Sequence, residues 1–294
     1  MLAVQASYRI DAVVIVDAFL GVATDIKSQD HTAPLDTVEL VDRIAAEESL
    51  RVLGWRDVPV DNAGLGYSVK PSEPVIRQIL VARGENCADQ DVFERKLFVI
   101  RKQIDNRIRE MANDSKRAFY FTSFSSRTIV YKGMLLAGQV GEYYQDLNDE
   151  RMVSALALVH QRFSTNTFPT WDLAHPFRMI AHNGEINTIK GNVNWMLSNQ
   201  TLLESTLFTK EEIQMLLPIC DSFHSDSANL DAVIELLVMG GRSLPHVMMM
   251  LIPEAWQEHD QMDQKRKEFY QYHAALMEPW DGPAAIAFTD GSRI

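Results

Sequence analysis

The sequence has 294 residues, of which 46% are hydrophobic and 23% charged, with a formal net charge of -12 at pH 7. This length and composition predict a folded chain with one large domain or two ordinary ones, and they exclude long disordered tracts. The net negative charge argues against nucleic-acid binding, which needs clustered Lys and Arg, so we expect a small molecule or another protein as the partner.

Neither the cysteines nor the apolar runs indicate secretion or a membrane. Cys87 and Cys220 lie far apart and have no zinc-ligand spacing, so we expect no metal site and a reducing, cytoplasmic location. The apolar run 12–23 is too short to cross a bilayer and contains Asp17. The run 233–252 contains a Gly-Gly pair and Pro245, which predict two helices with a break between them.

The first half of the chain gives strand and helix signals in alternation. A β-branched run stands at 13–16, a helical pattern at 38–46, and strand patterns at 50–60 and 79–81. Between 91 and 111 apolar residues recur every three or four positions, which predicts an amphipathic helix. These apolar positions are Phe93, Leu97, Ile100, Ile104, Ile108 and Met111.

The second half predicts further strands and helices. Residues 119–124 and 128–131, separated by three residues, predict a β-hairpin. Strands are expected at 155–163, 177–182 and 284–289, and helices at 187–198 and 229–239. Because no regular strand–helix–strand alternation is present, we expect an α+β layered fold.

The last strand runs into Asp290-Gly291, a hairpin signal that calls for a returning strand. Only three residues follow it. We therefore expect the natural protein to continue past Ile294.

Three polar blocks lie beside predicted strand ends, at 160–167, 181–187 and 225–227. In the first block, the Arg162 guanidinium could grip a carboxylate with two hydrogen bonds, and Thr165 could complete the grip. The alternative is an edge-strand arginine paired with an acidic side chain. Arg162 becomes informative only together with the other blocks.

The second block contains Asn183-Gly184, which is first of all a turn signal. In the alternative, the Asn183 amide and the Gly184 N–H converge on a developing oxyanion, an arrangement worth about 3 to 4 kcal/mol in acyl transfer. In the third block, Asp226 is either a helix N-cap or an anchor for a substrate ammonium group. Arg162 and Asp226 together would clamp both charged ends of an amino acid.

Four strings in order resemble one known family. The strings LGWRDVP (53–59), HQRFSTNT (160–167), RMIAHNGEIN (178–187) and MEPWDGP (277–283) are similar to the N-terminal glutaminase domain of glutamate synthase large subunits. That domain is a class II glutamine amidotransferase and an N-terminal-nucleophile hydrolase. The resemblance covers residues 38–294 as a partial glutaminase domain and leaves 1–37 unassigned.

The resemblance implies a fold and a set of roles. The fold would be a four-layer αββα sandwich, incomplete at both ends of the chain. Arg162 and Thr165 would hold the α-carboxylate of L-glutamine and Asp226 its α-ammonium, while Asn183 and Gly184 would form the oxyanion hole. The family's nucleophile is a cysteine at the first position of the mature chain, and no cysteine precedes Gly21 in the nearest matching string, 19–22.

The resemblance also implies partners and cofactors outside this segment. A synthase domain of the same polypeptide would carry FMN and an iron-sulfur cluster and transfer the ammonia to 2-oxoglutarate, with electrons from NADPH or ferredoxin, possibly through a small reductase subunit. No cofactor is expected in residues 1–294 themselves, and no nucleic acid or membrane partner. We expect a glutaminase fragment that is inactive or severely impaired alone. The alternative is a non-catalytic glutamine-binding or assembly module.

Overall fold

The computed structural model describes residues 3–7, 13–20, 32–111, 119–163, 167–222 and 224–294. The chain forms two compact units. The first consists of Met1–Phe163, Pro169–Ala181 and Phe288–Ile294, and the second of Ser164–Phe168 and His182–Ala287. None of the helices in the described ranges is long and apolar enough to cross a membrane.

Helices and antiparallel strands are mixed along the chain, so the fold class is α+β as predicted. The elements up to residue 160 are β1 (Ala3–Ser7), β2 (Val13–Leu20), α1 (Thr32–Glu47), β3 (Arg51–Asp57), β4 (Val75–Ala82), α2 (Gln90–Met111), β5 (Phe119–Phe121), β6 (Thr128–Tyr131), α3 (Gln139–Tyr143) and β7 (Ala157–His160). The later elements are β8 (Ile180–Gly184), α4 (Ile189–Asn199), α5 (Lys210–Leu216), α6 (Asp226–Met239), α7 (Leu244–Leu251), α8 (Gln264–Ala274) and β9 (Ala284–Phe288).

The strands form three sheets, with the orders β3-β4-β2-β5, β6-β1-β7 and β8-β9. In the first unit, helices α1 and α2 pack on the four-stranded sheet. Of the periodic apolar residues of α2, Phe93, Leu97, Ile100 and Ile104 are buried there and Ile108 is partly buried. Each fully buried side chain contributes about 1.5 to 3 kcal/mol by leaving water. This cluster joins Leu97, Ile100 and Ile104 of α2 to Val41 and Ile44 of α1 and to Ile79 and Val81 of β4.

The predicted hairpin at 119–131 is wrong. Strand β5 pairs with β2 in the four-stranded sheet, whereas β6 pairs with β1 in the three-stranded sheet. The loop between them is held by Glu94 of α2, whose carboxylate accepts hydrogen bonds from the Ser125 hydroxyl (2.8 Å) and from the N–H and hydroxyl of Ser126. Local pattern could not reveal this, because both pairing strands lie about a hundred residues earlier in the chain.

The other sequence predictions for the second half agree with the structure more closely. Helix α6 begins after Ser225, whose hydroxyl accepts from the Ala228 N–H (3.2 Å), and it is followed by a break before α7. Gly241 in that break has φ +96°. After β9 the chain turns at Gly291, with φ +84°, and the Asp290 carboxylate accepts from the Ser292 N–H at 2.9 Å.

We expect Glu94→Ala to destabilise the first unit by about 2 kcal/mol, because it leaves the Ser126 N–H and two hydroxyls without their buried acceptor. Glu94 is only 4% exposed, and burial raises the pKa of its carboxyl against the opposing effect of the two serines. Urea unfolding measures the change. Glu110→Ala, at an exposed position of the same helix, is the control and should change stability by less than about 0.5 kcal/mol. Equal stabilities for the two variants would contradict this assignment.

Candidate functional site

Asn183 and Gly184 are the last two residues of strand β8, so the interpretation of this dipeptide as a turn is wrong. Both residues are exposed, whereas His182 before them and Ile186 after them are buried. The chain leaves the strand at Glu185 and enters α4 at Ile189. An exposed Asn-Gly pair therefore lies at the end of a strand.

Two glycines allow the segment after β8 to approach the segment before β9 backbone to backbone. Gly184 has φ +149°, and a Cβ there would lie 2.0 Å from the carbonyl oxygen of Pro283. Gly282 has φ +158°, and a Cβ there would lie 1.9 Å from the carbonyl oxygen of Glu185. The Glu185 N–H donates to the Pro283 carbonyl at 3.0 Å. Only glycine suits both positions, and each stands in one of the strings that carry the resemblance.

Side chains at the start of α4 extend the same contact. The Thr188 hydroxyl accepts from the Asp281 N–H at 2.9 Å. The buried Asn192 amide donates to the Pro279 carbonyl at 2.9 Å. The blocks 181–187 and 277–283, a hundred residues apart in sequence, therefore form one hydrogen-bonded structure.

Asp226 is the first residue of α6 and not its N-cap, because Ser225 holds the capping position. Its carboxylate is buried and reaches the segment after β8, where Oδ2 accepts from the Ile186 N–H at 3.0 Å. Its Oδ1 accepts from the Ser227 N–H at 2.7 Å and from the Ser227 hydroxyl at 3.2 Å. A carboxylate in the first turn of a helix is also favoured by the helix dipole.

His182 completes this arrangement, and sequence reasoning missed it although it stands next to Asn183. Its Nδ1 lies 2.7 Å from the Ser227 hydroxyl, which in turn donates to Asp226. Because a carboxylate only accepts, a Ser227 hydroxyl that donates to Asp226 accepts from an Nδ1–H of His182. Burial lowers the pKa of His182, and the charge of Asp226 opposes that effect.

Of the five residues predicted for the site, three have described positions in the second unit. They are Asn183, Gly184 and Asp226, and the Asp226 contact to Ile186 ties the start of α6 to the segment that follows Asn183 and Gly184. Arg162 belongs to the first unit, where it is exposed and follows β7 by two residues. Thr165 lies outside the described residues.

Neither cysteine has the surroundings of a nucleophile. Cys87 is 4% exposed in the core of the first unit, and burial raises the pKa of its thiol, which disfavours the thiolate. Cys220 is 2% exposed. Among the residues with described positions, no three His, Cys, Asp or Glu side chains form a group that could hold a metal ion.

Comparisons with known proteins agree on one family. The sequence model of the family described as glutamine amidotransferases class-II matches residues 8–294. The match therefore begins within residues 1–37, which the resemblance left unassigned. The chain is 49% identical over 274 residues to "Glutamate synthase [NADPH] large chain" of Bacillus subtilis (strain 168), covering 93% of this chain and 18% of that protein. It is 43% identical over 277 residues to "Ferredoxin-dependent glutamate synthase 2" of Synechocystis sp., covering 94% and 17%.

A third relative is "Glutamate synthase [NADH]" of Schizosaccharomyces pombe, 48% identical over 255 residues, covering 85% of this chain and 12% of that protein. The chain therefore spans less than a fifth of the length of each of these three relatives. Similarity extends across both compact units of the chain.

We expect Gly184→Ala to destabilise the second unit by more than about 2 kcal/mol, because a Cβ meets the Pro283 backbone and the φ is strained. Gly191→Ala is the matched control. Gly191 lies exposed in α4 with no atom within 4 Å of an added Cβ, so alanine there should stabilise by about 0.5 to 1 kcal/mol. Thermal unfolding of both variants measures the difference, and a tolerated Gly184→Ala would refute the close approach.

We expect the native state to lose stability as the pH falls from 7.5 to 5.5, partly through His182. Its pKa is lower in the folded chain than in the unfolded chain, so the unfolded chain takes up more protons in this range and becomes favoured. His182→Asn keeps a donor toward Ser227 and removes the titration. Denaturant unfolding at several pH values should give a smaller loss for His182→Asn than for the parent chain; identical slopes would contradict the expectation.

Proposed function

The chain belongs to the class II glutamine amidotransferase family, and from that premise we propose that it is the glutamine-hydrolysing portion of a glutamate synthase. The reaction of this portion converts L-glutamine to glutamate and ammonia. The ammonia would pass to 2-oxoglutarate in a synthase domain of the longer polypeptide. One observation carries the proposal: the blocks 181–187, 225–227 and 277–283 form one hydrogen-bonded structure around an exposed Asn-Gly strand end.

The proposed substrate clamp uses opposite charges. Arg162 and Thr165 would bind the α-carboxylate of glutamine, and Asp226 would bind its α-ammonium. The position of Asp226 supports this role, because its two oxygens are oriented by the Ile186 N–H and by Ser227 before any substrate arrives. A carboxylate has lone pairs beyond those used by these donors, so it can still accept from an ammonium group.

The proposed oxyanion hole consists of the Asn183 side-chain amide and the Gly184 N–H. Donors that are fixed in advance stabilise a developing oxyanion without reorganising during the reaction. The backbone contacts of Glu185 and Gly282 on one side, and of Ile186 on the other, give this strand end that rigidity. Loss of these backbone contacts should therefore reduce the rate of catalysis more than it reduces substrate binding.

Hydrolysis in this family uses a cysteine whose own α-amine transfers the proton, forming a thioester that water then cleaves. Cys87 and Cys220 are both buried, and an internal residue has no free α-amine. We therefore propose that the 294-residue polypeptide alone binds glutamine but hydrolyses it poorly or not at all. The burial of both thiols equally favours the second candidate, a non-catalytic glutamine-binding or assembly module.

We propose the four-layer αββα sandwich for residues 38–294. In the first unit, one core cluster lies between the helices and the four-stranded sheet. A second cluster contains Ile76 of β4 together with Ile129 and Tyr131 of β6, which belongs to the three-stranded sheet. These two clusters support the proposal, in which a helical layer and two sheets of the first unit would form three of the four layers.

We place the protein in the cytoplasm, where its proposed partners are the synthase domain and a small reductase subunit. FMN and the iron-sulfur cluster would belong to that synthase domain and would supply the electron transfer. The electron donor, NADPH or ferredoxin, is a property of the longer polypeptide. Glutamine hydrolysis by residues 1–294 requires neither FMN nor the iron-sulfur cluster.

We expect the purified chain to bind L-glutamine in isothermal titration calorimetry. Arg162→Ala and Asp226→Asn should each weaken binding at least about tenfold, since each removes one charged contact with the substrate. Arg151→Ala, at an exposed arginine paired with Asp149, is the control and should leave the affinity unchanged. Absence of binding, or equal affinity in all variants, would contradict the clamp.

A measurement of ammonia release tests whether the 294-residue chain alone hydrolyses glutamine. The chain alone should release no ammonia from glutamine above background, because it lacks a thiol with an adjacent free amine. A coupled glutamate dehydrogenase assay measures this directly. Clear turnover that disappears in Cys220→Ala would overturn the proposed inactivity and assign the nucleophile to that residue.

A further inference from the structure

Two histidines face each other between helices α7 and α8. The Nε2 atom of His246 lies 3.0 Å from the Nε2 atom of His273. The ring centroids are 4.7 Å apart and the ring planes are inclined by 77°. Neither residue contributes to the site around Asp226.

The ring geometry differs from that of a straight hydrogen bond. A linear N–H···N contact of the same length would hold the centroids about 5.3 Å apart. The shorter separation means that the two Nε2 axes are not collinear. Two rings whose axes meet at a point about 2.0 Å from each nitrogen, at an angle of about 95°, give both observed distances, and 2.0 to 2.1 Å is the usual metal–imidazole bond length.

The surroundings orient both rings and leave one open to solvent. The Phe269 ring packs on His246 and His273, with centroids 5.2 Å and 4.3 Å away. His273 is 5% exposed, whereas His246 is partly exposed, so water can complete the coordination of an ion held by both. Burial, and after it the positive charge of Arg242, lowers the pKa of both rings, and the same charge weakens the binding of a cation.

We propose that His246 and His273 form a two-imidazole site for a divalent transition-metal ion, which would link α7 to α8. Imidazole nitrogen suits Ni²⁺, Cu²⁺ and Zn²⁺. With the two axes meeting in this way, the angle of about 95° would be that of adjacent positions of a square-planar or octahedral ion, so Ni²⁺ and Cu²⁺ are chosen as the probes. The site is independent of the proposed glutamine chemistry, because it uses other helices and other side chains.

Calorimetric titration of the full chain, without a histidine tag, with NiCl₂ at pH 7.5 tests the proposal. We expect one Ni²⁺ per chain, with affinity at least about tenfold lower in His246→Ala. His259→Ala is the matched control, since His259 is an exposed histidine outside the pair, and it should bind like the parent chain. No binding by the parent chain, equal binding by His246→Ala, or loss of binding in His259→Ala would each overturn the site.

A spectroscopic measurement covers the case in which His246→Ala does not fold, as judged by circular dichroism. Electron paramagnetic resonance of the parent chain with one equivalent of Cu²⁺ reports the number of coordinated nitrogens through superhyperfine splitting. Two equivalent imidazole nitrogens would support the proposal. A spectrum with one nitrogen or none would overturn it.

Discussion

The hydrogen bonds of the Asp226 carboxylate are the interaction on which the second unit's part of the proposed site depends. The carboxylate is buried at the start of α6, yet its oxygens reach the backbone of Ile186 and the side chain of Ser227. A buried carboxylate without donors costs free energy, and so do buried donors without an acceptor. The Asp226 carboxylate and its donors therefore hold each other in position. Through this contact the start of α6 is tied to the segment that follows β8.

Beside this contact, the segments that contain Gly184 and Gly282 approach each other backbone to backbone. Gly184 and Gly282 lack the Cβ atoms that would otherwise separate their segments. The strand end is therefore held from one side by main-chain hydrogen bonds and from the other by a charged side chain. Rigidity of this kind suits a site that must present fixed donors to a charge formed only during reaction.

Sequence pattern predicted elements better than it predicted pairing. The helical period of α2 and the Gly-Gly break before α7 are local signals, and both are confirmed. The hairpin at 119–131 failed because β5 and β6 each find a partner far away in sequence. The interpretation of Asn-Gly as a turn, which stood beside its interpretation as an oxyanion hole, fails for a related reason, since β8 pairs with β9 and extends through Gly184. The blocks 181–187 and 225–227 are joined by a hydrogen bond, whereas the tie from Asp226 to Ile186 had no signal in either block alone.

Hydrogen exchange at single amides, followed by NMR, tests the central role of Asp226 most directly. In the parent chain the Ile186 N–H should exchange slowly, because it is buried and bonded to the carboxylate. In Asp226→Ala its exchange should accelerate at least about tenfold, while the Glu185 N–H, which is bonded to Pro283, keeps its own rate. An Ile186 amide that exchanges equally fast in both proteins would contradict the account.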